Sequence, residues 1–329
     1  MSVLIRERTE KEEYERLSPL AAKSAEALRL REEQECSIRT KFQRDRDRIL
    51  HSKPFRRLKH KTQVYIAPTG DHFRTRMTHS LEVAQICRTI GRGLKLNEDL
   101  IEAIALAHDV GHTPFGHVGE EALASLVGHF EHNEQSVRIC SILTNDGQGM
   151  NLTQEVLDGI LHHTGDGVPQ TLEGQIVKIG DRIAYLCHDY DDALRAGLIK
   201  PEELPVQVRQ VLGSTTSQMI TSMVVDMIEA SKKEARVTLS VRIAEAVQIF
   251  REFMFERVYL CDALREERRK GRLIVEILFE HYMKYPYLLP DGYLEWAEGD
   301  LQRAVVDYIS GLTDNYAITT FKRFFIPRE

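Results

Sequence analysis

The chain has 329 residues, with 44 Lys and Arg against 50 Asp and Glu and a formal net charge of −6. Hydrophobic residues make up 42% and charged residues 29%, which excludes a largely disordered chain and is typical of a globular protein. The mildly acidic balance gives no overall attraction to nucleic acid, and no stretch reaches the roughly 18 apolar residues of a membrane span. The acidic N-terminus is unlike a signal peptide. The five cysteines form no CxxC pair, which predicts reduced thiols and a cytoplasmic location.

Apolar residues recur at helical spacing along most of the chain, and strict alternation is almost absent. This pattern predicts a mostly helical protein. The clearest helical stretches are residues 80–91, 98–109, 175–196 and 215–264.

The exception to the helical pattern lies between Thr62 and Thr75. Two short runs flank Pro68 and Gly70 there, which predicts a small β-hairpin.

Gly197–Pro205 is the best boundary along the chain because it combines turn-forming residues between two helical stretches. We therefore expect an N-terminal helical segment (1–40), a functional core (41–197) and a C-terminal helical extension (198–329).

The candidate metal-binding and catalytic residues are histidines and acids at four places. These are His79, the pair His108-Asp109, the stretch 111–120 and Asp181. Imidazole nitrogens and carboxylate oxygens are suitable ligands for divalent ions. An adjacent His-Asp pair at a helix end can place both side chains beside one ion, and His79 and Asp181 would complete a four-ligand site. A single HD dipeptide is weak evidence, because a lone histidine on an apolar helix is more often a core residue.

The context strengthens the hypothesis. Residues 108–120 contain three histidines, two acids and three glycines. Core packing does not explain this combination, since unpaired histidines and acids are costly to bury and glycines let the backbone approach a ligand closely. His117 and Glu120 are three residues apart and share one face if the segment is helical.

The sequence resembles the HD-domain deoxynucleoside triphosphate triphosphohydrolases, the dGTPase-like branch of the HD superfamily. The resemblance spans roughly residues 40–195 and is carried by several long, unusual strings. They are RDRDRILHSKPFRRLKHKTQV (44–64), GDHFRTRMTHSLEVAQI (70–86), HDVGHTPFGHVGEEAL (108–123), FEHNEQSVRI (130–139) and GDRIAYLCHD (180–189).

This resemblance implies an all-α HD-domain fold and a metal site formed by His79, His108, Asp109 and Asp181. The implied ion is divalent, Mn²⁺ or Mg²⁺, with Co²⁺, Fe²⁺, Zn²⁺ and Ni²⁺ as alternatives. The implied products are the deoxynucleoside and intact tripolyphosphate, so the attack is at the α-phosphorus.

The catalytic residues implied by the resemblance are His117 and Glu120, with His112 as the first histidine after the HD pair. A carboxylate that orients an imidazole suits proton transfer. The alternative for Glu120 is a purely structural acid in the first turn of a helix.

The phosphate side of the site is expected to use arginine, because a triphosphate carries several negative charges and arginine binds phosphate oxygens bidentately. The resemblance favours Arg56, Arg74 and Arg76. Most of the basic residues between 41 and 61 are expected to form a solvated face instead.

Helix residues beyond Asp181 supply further polar side chains. Tyr185 is expected to contact the sugar or base, although a core tyrosine is equally consistent with its position. His132, Asn133, His162 and His163 are additional polar residues near the expected site, to which the sequence assigns no role.

Two features depart from the family pattern. Thr113 stands where many members have proline, and the chain is shorter than the larger members. The missing insertions leave the base preference and any activating nucleotide open.

Three functions are consistent with the sequence. The first is dNTP triphosphohydrolase activity in a homo-oligomer, the second is an HD phosphomonoesterase or phosphodiesterase, and the third is a non-catalytic regulator that binds nucleotides or single-stranded DNA. The complete set of four metal ligands with His117 and Glu120 favours an enzyme.

Overall fold

The computed structural model of the protein describes residues 4–63, 73–232 and 234–327. Over these residues the chain is helical, and β-type pairing is limited to two isolated bridges, Arg29–Thr153 and Thr62–Thr75. The expected all-α class is confirmed. The Thr62–Thr75 bridge joins the two ends of the predicted hairpin, whose strands lie mostly in residues 64–72, outside the described residues.

The described residues form sixteen α-helices, with short 3₁₀ turns and one π-helical turn between some of them. The helices are α1 (Ile5–Arg16), α2 (Lys41–Leu50), α3 (Lys53–Arg57), α4 (Arg76–Leu94), α5 (Glu98–Ala107), α6 (His117–Val127), α7 (His132–Ser141), α8 (Gln154–Leu161), α9 (Leu172–Arg195), α10 (Val206–Val211), α11 (Thr216–Ser231), α12 (Val241–Met254), α13 (Asp262–Lys284), α14 (Tyr293–Trp296), α15 (Leu301–Ser310) and α16 (Asp314–Phe325).

The chain divides into two compact units, each assembled from three stretches. The first unit contains Met1–Asp47, His79–Leu106 and Thr153–Cys261, and the second contains Arg48–Thr78, Ala107–Leu152 and Asp262–Glu329. Helices of the predicted extension 198–329 enter both units. The three sequence-based domain boundaries stay a prediction.

In the first unit, α9 packs against α8, α11 and α12 and carries Asp181. The Thr171 hydroxyl caps its N-terminus by accepting the Gly174 backbone N–H at 3.1 Å. The next turns bury apolar residues at helical spacing, among them Ile176 and Ile183. A Cβ on Gly180 would lie 2.3 Å from Cys87 Sγ of α4. The absence of a Cβ at this position therefore allows α4 and α9 to approach closely.

In the second unit, the long helix α13 packs against α6, α15 and α16. The core between them includes Leu123 of α6, Leu278 of α13 and Ile309 of α15. Phe115 belongs to the same core, although it lies in the turn before α6. The turn that leads to His117 is therefore anchored in an apolar core.

Candidate active site

In the first unit, His79 of α4 and Asp181 of α9 face each other. The His79 Nε2 and Asp181 Oδ1 atoms are 2.9 Å apart. His79 is buried, and the Asp181 side chain is partly exposed. A partly exposed pair of an imidazole nitrogen and a carboxylate oxygen at this distance can share a proton or bind one cation.

In the second unit, the His108-Asp109 pair lies in the turn directly after α5, with both side chains buried. Asp109 Oδ2 accepts a hydrogen bond from Arg76 at 2.8 Å. Asp109 Oδ1 lies 3.2 Å from His112 Nε2 and 3.5 Å from His108 Nε2. Burial alone would raise the pKa of Asp109, but the charges of His108, Arg76 and His112 hold it well below its usual value.

The backbone reverses direction between Thr113 and Gly116. Phe115 and Gly116 have φ values of 64° and 59°, and the Thr113 hydroxyl donates to the Gly116 carbonyl at 2.7 Å. The reversal makes His117 the first residue of α6. We call residues 113–116 the HD turn.

Four side chains of the second unit, which we call the imidazole cluster, meet beside the HD turn: His112, His117, Glu120 and His132. Their donor atoms lie within 4.8 Å of one another. Glu120 Oε2 is 2.9 Å from His117 Nδ1, and Glu120 Oε1 is 2.8 Å from His132 Nδ1. Glu120 Oε1 also accepts the His132 backbone N–H at 2.8 Å. One carboxylate therefore fixes two imidazole rings.

The pKa values of the imidazole-cluster residues are shifted in different directions. Burial would raise the pKa of Glu120, but its hydrogen bonds with His117 and His132 lower it far below the usual value. Burial lowers the pKa of His112 well below its usual value, and the charges of Arg76 and His132 lower it further. Burial opposes charge on His132, yet the Glu120 carboxylate raises its pKa. The two rings with opposite pKa shifts, His112 and His132, stack with centroids 3.8 Å apart and an interplanar angle of 13°.

His117 differs from the other members of the imidazole cluster because 64% of its side chain is exposed. Its Nδ1 faces Glu120, which leaves Nε2 on the far side of the ring. An exposed imidazole oriented by a partly buried carboxylate is a suitable proton donor or acceptor for a molecule that arrives from solvent.

His132 is the one member of this cluster for which sequence analysis predicted no role. The sequence placed it near the expected site, and the structure makes it the second partner of Glu120. The available signal was the adjacent polar pair His132-Asn133 within the family-like string FEHNEQSVRI (130–139).

Gly111 packs closely against the backbone of α7. A Cβ at this position would lie 2.3 Å from the His132 carbonyl oxygen and 2.2 Å from the Ser136 backbone nitrogen. The Gly111 N–H also donates to Ser136 Oγ at 2.8 Å. The close approach is thus to the backbone of α7, which brings His132 to the cluster.

The predicted phosphate-side and sugar-side residues occupy different environments. Arg76 is buried and bonded to Asp109, Arg56 is exposed on α3, and Arg74 is partly buried just before α4. Tyr185 lies one turn after Asp181 on α9, and burial raises the pKa of its hydroxyl.

Several of the basic residues between 41 and 61 are bonded to protein groups. Arg46 lies 2.6 Å from Asp99, Arg44 lies 3.1 Å from Glu33, and Arg48 donates to the Met150 and Asn151 carbonyls at 3.0 Å. These contacts hold local structure, so the basic run is not a uniform phosphate-binding surface.

Comparison with known proteins identifies two conserved domains in the chain. Residues 76–186 match the HD domain, and residues 237–323 match the phosphohydrolase-associated domain. The HD match contains His79, His108, Asp109, Asp181 and the four members of the imidazole cluster, whereas Arg56 and Arg74 lie before it. The chain therefore belongs to the HD-domain phosphohydrolases, a class of metal-dependent hydrolases.

Curated relatives narrow this class. The chain is 53% identical to a deoxyguanosinetriphosphate triphosphohydrolase-like protein of Caldanaerobacter subterraneus subsp. tengcongensis, over 98% of this chain and 96% of the relative. It is 46% identical to the protein of that name from Clostridium perfringens strain SM101, over 98% of both chains. The chain belongs to this family of deoxyguanosinetriphosphate triphosphohydrolase-like proteins.

A solved structure supports the fold. A phosphohydrolase from Bacteroides thetaiotaomicron superposes with a TM-score of 0.54 and 20% sequence identity, over 85% of this chain and 68% of the other. In the part of the chain that the structure describes, no helix has the length and apolar character to span a bilayer.

Proposed function

We propose that the protein hydrolyses deoxynucleoside triphosphates, dGTP or several dNTPs, to the deoxynucleoside and tripolyphosphate. The observation that carries the proposal is the exposed His117 imidazole held by the partly buried Glu120 carboxylate at 2.9 Å. Relatives named deoxyguanosinetriphosphate triphosphohydrolase-like over nearly the full chain support the substrate class.

The proposed metal ligands are His79, His108, Asp109 and Asp181, with Mn²⁺ or Mg²⁺ as the ion. Their donor set, two imidazoles and two carboxylates, fits such an ion. The 2.9 Å between His79 Nε2 and Asp181 Oδ1 is the separation expected of neighbouring ligands that each lie about 2.0–2.2 Å from one ion. The depressed pKa of Asp109 keeps that ligand in its anionic form.

A bound divalent ion supplies a Lewis acid that neutralises charge on the phosphate oxygens. The protein residues then manage the protons. In the proposed reaction, a water oxygen forms a bond to the α-phosphorus, and the bond from that phosphorus to the 5′ oxygen breaks. His117 moves the proton from the attacking water to the leaving 5′ oxygen, because its Nδ1 is fixed by Glu120 and its Nε2 faces away from that contact.

Glu120 and His132 have supporting roles in this proposal. Glu120 sets the orientation and tautomer of His117, and His132 holds the other Glu120 oxygen. Arg56, Arg74 and Arg76 are proposed to balance phosphate charge, and Tyr185 is proposed to contact the sugar or base. For Arg76, the ion pair with Asp109 also fixes a metal ligand.

The family resemblance further supports a cytoplasmic homo-oligomer. An activating nucleotide and single-stranded DNA are ligands to test in the same assays.

The test is product identification. Purified protein is incubated with each of the four dNTPs and with GTP, with Mn²⁺ or Mg²⁺, and the phosphate product is identified by ³¹P NMR. Tripolyphosphate with free deoxynucleoside is the expected result. Orthophosphate or pyrophosphate would instead assign a phosphomonoesterase or phosphodiesterase activity.

Two further arms complete the experiment. Mixtures of dNTPs are tested if single dNTPs give no product, since one nucleotide can activate hydrolysis of another. No turnover in any mixture, combined with retained nucleotide or single-stranded DNA binding, would favour a regulator and contradict the proposal.

A further inference from the structure

The HD turn contains a strained residue whose conformation must be imposed by its surroundings. Phe115 has φ of 64°, a left-handed conformation that is unfavourable for a bulky side chain. Such a conformation persists only where neighbouring contacts fix it. Because Phe115 comes two residues before His117, these contacts also determine where the His117 ring lies.

The first contact is a carboxylate from the C-terminal part of the same unit. The Phe115 backbone N–H donates to Asp314 Oδ1 at 2.9 Å. The other oxygen, Oδ2, accepts the Thr62 backbone N–H at 3.0 Å and the Thr62 hydroxyl. Asp314 is the first residue of α16 and is 6% exposed. One buried carboxylate thus ties the HD turn to the segment at Thr62.

The second contact is the packing of the Phe115 ring, which is 3% exposed. A Cβ on Gly271 of α13 would lie 3.1 Å from Phe115 Cγ, so ring and helix are in close contact. The ring holds the turn by shape, while Asp314 satisfies its backbone N–H.

A third contact comes from the residues just before Asp314. The buried Lys61 ammonium donates to the Ser310 carbonyl at 2.8 Å and to the His112 carbonyl. Residues 310–314 therefore reach both ends of the segment 112–115, through Lys61 at one end and through Asp314 at the other.

Both oxygens of Asp314 are required in this arrangement, because they accept backbone N–H groups from different segments. An asparagine has one carbonyl oxygen, so in an Asp314→Asn variant either Phe115 or Thr62 loses its acceptor. A buried N–H without a partner is destabilising, and the strained HD turn is the segment that can relax.

We propose that Asp314 is a positioning residue of the active site: its carboxylate fixes the HD turn and thereby the placement of His117. The expected effect on turnover rests on the proposed function, whereas the effect on the conformation of the HD turn does not.

The experiment compares Asp314→Asn with Thr313→Ala in the full-length protein. Thr313 caps α16 by accepting the Tyr316 N–H at 3.2 Å, so its replacement destabilises the same helix end without removing any of the Asp314 hydrogen bonds. Asp314→Asn is expected to lower kcat about 10- to 100-fold, the effect of misplacing a catalytic group by about 1 Å. KM and bound metal should stay within about twofold. Thr313→Ala should lower Tm and leave kcat unchanged.

Hydrogen exchange measured by mass spectrometry is the second readout, and it does not depend on turnover. Peptides that cover residues 112–120 should exchange faster in Asp314→Asn than in Thr313→Ala. Equal kcat in the two variants, or equal exchange in these peptides, would overturn the proposal. If the wild-type protein hydrolyses no dNTP, the proposed function fails while the exchange comparison still decides the role of Asp314.

A second variant covers the case in which Asp314→Asn does not fold. Asp314→Glu keeps both oxygens and the charge but displaces them by one methylene group. It is expected to lower kcat and to speed exchange of residues 112–120. Behaviour identical to Thr313→Ala would contradict the positioning role.

Discussion

Two pairs of largely buried carboxylates, one pair in each unit, have pKa values shifted in opposite directions. In the second unit, burial is outweighed by cationic and imidazole neighbours, so the pKa values of Asp109 and Glu120 fall below the usual range. In the first unit, Glu13 and Glu173 are surrounded mainly by amide and hydroxyl donors, and burial raises their pKa values. All four side chains are largely removed from solvent, yet the pKa is raised in Glu13 and Glu173 and lowered in Asp109 and Glu120.

The two pairs of carboxylates also differ in the groups that they contact. Glu173 Oε1 accepts the backbone N–H groups of Ala22 and Asn97, and Glu13 accepts from Ser24 and Asn97. These bonds tie α1, α5 and α9 together. Asp109 and Glu120 instead carry charge into a group of histidines, an arrangement that folding alone does not require.

The largest expected effect is loss of the metal. Replacing His108 and Asp109 together with alanine should abolish both bound divalent metal and hydrolysis, because two of the four proposed ligands disappear. Metal content is measured by mass spectrometry of the purified protein, and activity by the dNTP assay. His129→Ala is the matched control, since His129 is an exposed histidine of the same unit bonded to Glu134. Full metal content in the double variant would disprove the ligand assignment.

The next effect concerns proton transfer. His117→Ala should lower kcat about 10²-fold or more, the usual contribution of a general acid or base, and leave bound metal and nucleotide affinity close to wild type. Glu120→Gln should lower kcat less, because the His117 imidazole stays in place while the carboxylate charge that holds it is lost. Unchanged turnover in His117→Ala would remove it from the mechanism.

A packing change tests how the second unit builds its cluster. Gly111→Ala would place Cβ 2.3 Å from the His132 carbonyl oxygen, and this backbone cannot yield without moving α7. We expect a loss of about 2 kcal/mol in the free energy of unfolding, together with reduced kcat because His132 supports Glu120. The control is Gly93→Ala, whose Cβ would meet the end of the Ile228 side chain at 2.7 Å. Equal stability of the two variants in urea would contradict the packing argument.

The sequence predicted much of this arrangement. Helical periodicity placed the helices that carry His79 and Asp181, and the three-residue spacing of His117 and Glu120 predicted the shared face that their 2.9 Å contact requires. The HD-containing strings predicted the family. These features are local or carried by motifs, so a single sequence is sufficient to find them.

Contacts between residues far apart in the chain could not be predicted from the sequence. Asp314 touches Phe115 across 199 residues, and nothing near Asp314 in the sequence marks it as different from any acid in a first helical turn. The helical stretch 215–264 likewise contains two helices and the start of a third, with the break fixed by the Ser240 cap, whose hydroxyl donates to Asp226 at 2.6 Å. Partners of this kind depend on the fold and leave no periodic signal.

The smallest expected effect concerns the first unit and the pH dependence of stability. Since the folded-state pKa of Glu173 is raised, its contribution to stability is fully present below the unfolded pKa of about 4.3 and is lost as the pH rises through the folded pKa. Glu173→Gln removes this titration, so the free energy of unfolding should fall less between pH 4 and pH 7 than in wild type, by on the order of 1 kcal/mol. Urea unfolding at several pH values measures the difference, and Glu245→Gln, an exposed position on α12, controls for the lost charge. Parallel pH profiles for Glu173→Gln and wild type would show that the pKa of Glu173 is not raised in the folded protein. The contrast between the pKa shifts in the two units would then be wrong.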